Sequence, residues 1–156
     1  MRKAFLLLAV LGLTSSLWAA DPITGTWKLN LEKSKFSPNF TSIPKEQTET
    51  YRELSNGEIE LTVKTTIKDG SSEITVFTYP VQGGLVKVAQ GNTHQTFWVE
   101  TRIGLDEWYV TGILDGKQDV IRHKKVSKDG KTLNQTIRST DDQGKPFELL
   151  LVLDKQ

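Results

Sequence analysis

The sequence predicts an all-β protein, an antiparallel up-and-down meander of about 8–10 strands closed into a barrel. Two local patterns and one physical requirement lead there. Ile23, Gly25, Trp27, Leu29 and Leu31 alternate with Thr24, Thr26, Lys28 and Asn30, a period of two that gives a strand one buried face. Glycine-bearing turns then recur along the chain, most of them 12 to 14 residues apart, room for one strand and one tight reversal. Sequential antiparallel strands leave two open edges, and a meander of this length hides them most simply by closing on itself.

Residues 1–20 read as a cleavable export signal. Arg2 and Lys3 supply the positive start, Ala4 to Leu13 the apolar centre and Ala19-Ala20 the small-residue end. The apolar run is shorter than the roughly 20 residues a membrane helix needs. The remaining residues 21–156 form a single domain, long enough for a real core. No later run is long enough for a membrane span, so a soluble secreted or periplasmic protein is expected. The chain has 20 basic and 19 acidic side chains, and the signal removes two of the basic ones. A near-neutral, interspersed surface argues against nucleic acid or anionic membrane as a partner. Cysteine is absent, so packing rather than disulfides must hold the exported domain together.

The first strand carries Gly25-Thr26-Trp27-Lys28-Leu29-Asn30. A glycine two residues before a tryptophan lets the ring fold down over the floor of a small barrel, so Gly25 and Trp27 are assigned as a structural plug. Glu32 to Gln47 breaks the rhythm, with Pro38 and Pro44, and is expected to be a loop with at most one helical turn. Glu58 to Ile67 is the clearest strand, with Ile59, Leu61, Val63, Thr65 and Ile67 on one face. Phe97 to Ile103 fits two registers. Phe97, Val99, Thr101 and Ile103 inward leave Trp98, Glu100 and Arg102 outside; the opposite register places Trp98 and an opposed charge pair in the lumen. Desolvating charges is expensive unless they are well paired, so the apolar-in register is preferred and Trp98 becomes a candidate partner surface. Leu133 to Ser139 points Leu133 and Ile137 inward, and the apolar strand Phe147 to Leu153 closes the set.

With these residues in place, the chain resembles the lipocalin-like superfamily of small-ligand barrels, through Gly25-x-Trp27 on the first strand of a barrel-length meander. Its Gly-Thr-Trp-Lys-Leu-Asn start, Lys33-Ser34-Lys35-Phe36 and Val126-Ser127-Lys128-Asp129-Gly130-Lys131-Thr132-Leu133 are similar to a group of uncharacterised exported bacterial proteins. The wider resemblance implies a barrel that holds a small molecule. Intracellular fatty-acid carriers share a Gly-Thr-Trp start. They place two helices after it and an Arg-x-Tyr pair on the last strand. Neither is visible here, where the last strand reads Leu149-Leu150-Leu151-Val152-Leu153-Asp154.

Candidate ligand contacts are the aromatics with a polar tip or edge, Tyr51, Tyr79, Trp108 and Tyr109, with Arg122 as a charge inside. Such side chains suit a lumen that buries an apolar or amphipathic molecule and orients it with one or two hydrogen bonds. His94 and His123, the only histidines, stand apart from any ligand-spaced cluster, so no metal is expected. No nucleophile elbow, phosphate loop or dinucleotide fingerprint is present, so neither a catalytic residue nor a cofactor is implied. The expected function is non-enzymatic binding of a small apolar or amphipathic ligand. The alternatives are a side-chain-filled barrel serving as an envelope interaction module through Trp98, and an enzyme with Glu100, Arg102 and Arg122 around one void.

Overall fold

The computed structural model describes residues 20–141 and 143–156. The export signal expected over residues 1–20 therefore lies outside the described residues, apart from Ala20. Eleven strands follow one another: β1 (Gly25–Leu29), β2 (Lys35–Phe36), β3 (Glu46–Glu53), β4 (Glu58–Thr66), β5 (Ser72–Pro80) and β6 (Gly83–Gln90), then β7 (Phe97–Arg102), β8 (Glu107–Leu114), β9 (Lys117–Val126), β10 (Thr132–Thr140) and β11 (Pro146–Lys155). Every pairing is antiparallel between neighbours, and β1 pairs with both β3 and β11, which closes ten strands into an up-and-down barrel. Among the described residues, closure covers most of the strand edges that a second chain could pair with.

Turn chemistry sets the hairpins. Asp115 (φ 49°) and Gly116 (φ 75°) join β8 to β9 as two left-handed residues, the pairing that matches strand twist. The Glu32 to Gln47 stretch opens on a single α-type turn, closed by the Ser34 amide donating to the Asn30 carbonyl (3.1 Å), and adds a two-residue strand before running into β3. Phe36 and Lys35 pair with Leu149 and Leu150 on the edge of β11 that β1 leaves vacant above Leu153. Ser34 fixes this detour, its Oγ donating to the Asn30 carbonyl (2.7 Å) and accepting from the Val152 amide (3.0 Å). Phe36, Phe40 and Phe147 then stack over this side of the barrel, with centroids 6.2 and 5.3 Å apart.

The closed end is built around Trp27, which is 0% exposed. Its indole N–H donates to the Ile23 carbonyl at 2.7 Å, and the Lys155 ammonium lies 4.8 Å from the ring centroid. Gly25 makes this crossing feasible. Its φ of +126° disfavours side chains, and a Cβ there would come within 2.9 Å of Lys155 Cε. Beside it Arg102 binds the Asp21 carboxylate and donates to the carbonyls of Gly104 (3.0 Å) and Leu105 (2.7 Å). Its guanidinium lies 5.2 Å from the Trp108 ring centroid. The N-terminal segment is thereby pinned across the floor.

This geometry corrects the expected register of β7. Trp98, Glu100 and Arg102 face inward, whereas Phe97 and Ile103 are 42% and 53% exposed. The desolvation argument assumed unpaired charges. Both are paired, and not with each other: Arg102 is bound by Asp21 and carbonyls, and Glu100 by Lys124. Trp98 is therefore a wall of the lumen and not an outer partner surface.

Candidate functional site

A cavity of about 300 Å³ occupies the arc of the lumen bounded by β3 to β9, at the low end of the range for small-molecule sites. Leu61 and Val63 on β4, Phe77 on β5, Val86 on β6 and Val110 on β8 give it apolar sides. β6 and β7 share only four rungs, Gly83 to Val86 against Thr101 to Trp98, and then part. Asn92, Thr93 and Gln95 of the connecting loop line the cavity where the strands diverge. The barrel is thus not filled by its own side chains along this arc.

One gap in the wall shapes the site. A Cβ on Gly112 of β8 would lie 2.5 Å from Val120 Cγ1, 2.8 Å from Gln95 Cγ and 2.9 Å from Trp98 Cζ3. The missing side chain lets the Trp98 indole and Gln95 lie flat against the wall. Gly112→Ala is expected to lose about 1–3 kcal/mol by overpacking and to push the indole into the cavity. Thermal unfolding together with near-ultraviolet dichroism of the tryptophans checks this, and an unchanged spectrum would contradict it.

The floor of the cavity is polar, and its charged groups are held by specific partners. Lys124, 1% exposed, donates to both Glu100 oxygens at 3.0 and 2.9 Å. Its ammonium sits 5.3, 5.4 and 6.0 Å from the ring centroids of Tyr51, Tyr79 and Trp108, a cage of π-faces that favours the cation. Deeper in, the Glu49 carboxylate is 0% exposed and held by three neutral donors: Gln47 (2.8 Å), Tyr51 (2.7 Å) and Gln135 (2.7 Å).

Burial is the main force raising the Tyr51 phenol well above its ordinary pKa, with the Glu49 charge adding to it. The Tyr79 phenol is raised in the same way, first by burial and then by the Glu100 charge. Its hydroxyl is close enough to feel that carboxylate but completes no well-formed hydrogen bond. A phenol whose folded pKa exceeds its unfolded value near 10 contributes stability that is complete below pH about 10 and is lost as pH rises further. Tyrosinate absorbance should therefore show these two phenols ionising only with unfolding. Tyr79→Phe should flatten the alkaline fall in stability.

The residues singled out from sequence separate into three groups. Tyr79 and Arg122 line the cavity, and Trp98 joins them through the corrected register. Tyr51 and Trp108 are buried beneath it as walls of the Lys124 cage. Tyr109 points outward, 39% exposed, and stacks on His123 at 4.7 Å, so it is not a lumen residue. His123 in turn meets Glu107 at 2.6 Å on that outer face. Glu49, Lys124 and Gln135 were not singled out from sequence. One signal was available for Lys124: Val120 and Val126 share an inward face, and the period of two puts Arg122 and Lys124 on it.

Among the described residues no group of three or more His, Asp or Glu side chains converges as a metal site, and no helix is long and apolar enough to cross a membrane.

No protein-family model and no curated protein sequence matches the chain. Among solved structures, the fold is similar to that of the fluorescent protein UnaG, with a TM-score of 0.54 and 12% identity over 86% of this chain and 97% of that one. It is equally similar to the zebrafish ileal bile acid-binding protein complexed with cholic acid, with a TM-score of 0.54 and 11% identity over 86% and 99% of the two chains. At such identities the likeness is one of architecture, and the described residues form a calycin-type, ten-stranded antiparallel β-barrel.

Proposed function

We propose that this protein binds a small apolar or amphipathic molecule inside its barrel and stores, carries or buffers it without chemical change. The observation that carries this reading is the cavity of about 300 Å³, apolar on its sides and polar at its floor, in a lumen whose other arc is tightly packed. An apolar body entering it would be stabilised by about 25 cal/mol for each Å² removed from water. The fold likeness to a bile acid-binding barrel complexed with cholic acid supports the reading. At the floor Glu100 and Lys124 are paired with each other and Glu49 is held by neutral donors, which favours holding a ligand over acid–base chemistry. The alternative of an interaction module rested on an outward Trp98 and a filled barrel, and neither feature is present. The basic start, apolar centre and small-residue end of residues 1–20 support a role outside the cytoplasm.

Native mass spectrometry of the protein purified from its own host tests this. A complex carrying one small molecule, released on unfolding, is the expected result. A bare chain that also leaves apolar dyes dark would contradict it.

A further inference from the structure

Two groups that can only donate belong to residues lining the cavity and have nothing to donate to. The indole N–H of Trp98 and the Nε–H of Arg122 are both shielded from solvent, and neither has a partner among the described residues. A buried donor without an acceptor is costly, so such pairs are rare unless something else completes them. The register puts the two on the same inward face. Trp98 lies opposite Gly112, across which its indole packs, and Gly112 lies opposite Val120, the inward neighbour of Arg122 along β9.

The ion pairing points the same way. Both oxygens of Glu100 are taken by Lys124, and Glu49 is held by its three neutral donors. Arg122 forms no ion pair with any described residue. The lumen therefore presents one guanidinium with no carboxylate in contact with it and one unused indole N–H, above a wall of apolar side chains. A neutral alcohol could satisfy one donor, but an anionic oxygen pair satisfies both and the charge as well.

We infer that the ligand is an anionic amphipath, its carboxylate-type group seated on Arg122 and Trp98 and its apolar body against Phe77, Val86 and Val110. This rests on the ligand-binding reading above and adds the chemical class of the cargo. It also assigns Arg122 and Trp98 as the residues that select for it.

Two dyes of the same ring system separate the inference from the reading beneath it. Anilinonaphthalene sulfonate carries an anionic group, and N-phenylnaphthylamine is the same body without it. In fluorescence titrations of the wild-type chain, the sulfonate is expected to bind at least about tenfold more tightly, the range of a charge-assisted hydrogen bond. In Arg122→Met that preference should fall to within about twofold while the neutral dye binds as before. Trp98→Phe should remove part of it. Equal affinities in the wild type, or a preference that survives Arg122→Met, would overturn the inference and leave the carrier reading standing. Failure of both dyes in the folded wild type would sink both together.

Discussion

Replacing Lys124 with methionine is expected to cost about 3–5 kcal/mol, because it leaves the Glu100 carboxylate buried without its cation. Both side chains are only 2% exposed, so water cannot take over from the missing partner. The same change empties the cage formed by Tyr51, Tyr79 and Trp108. The large effect does not mean that the pair itself is worth that much, since desolvating two ions offsets most of their attraction. Lys124→Met combined with Glu100→Leu should accordingly be more stable than Lys124→Met alone. Urea unfolding of the two singles and the double closes a mutant cycle. A Lys124→Met protein within about 1 kcal/mol of wild type would show that the floor is not held by this pair.

Trp27→Ala should be comparably damaging, about 3–5 kcal/mol, by the loss of a fully buried indole and the void it leaves. Trp27→Phe should cost less. It keeps most of the apolar contact but orphans the Ile23 carbonyl and weakens the stacking of Lys155. The gradation separates a plug from a ring that merely lines a wall. Equal midpoints for wild type and Trp27→Ala in chemical denaturation would contradict the plug.

The architecture was legible in the sequence because its determinants are local. Asp115-Gly116 announces a hairpin by itself, and the alternation of Ile59, Leu61 and Val63 announces an inward face by itself. The polar interior was not, because its hydrogen-bond and charge partners lie in part far along the chain. Glu49 is tolerated because Gln135 on β10 joins Gln47 and Tyr51 of its own strand in holding it, and Glu100 because Lys124 reaches it across β8. A period-two rule assigns such residues to solvent, and β3, with Glu46-Gln47-Thr48-Glu49-Thr50, offers no apolar alternation to correct it. The register of β7 was misread for that reason. Thr101 looked like the better interior residue until Asp21, 81 positions from Arg102, supplied the missing counter-charge. The detour through β2 depended likewise on the free edge of β11, which no local pattern records.

The central claim is that the lumen beside Trp98 takes a small molecule. A two-dimensional NMR titration of the indole and guanidinium N–H signals with anilinonaphthalene sulfonate tests it most directly. The account expects the Trp98 Nε1–H and Arg122 Nε–H signals to shift saturably together while that of Trp27, sealed at the other end, stays in place. Shifts confined to outer-face arginines such as Arg52 and Arg138, or no saturable shift at all, would contradict it.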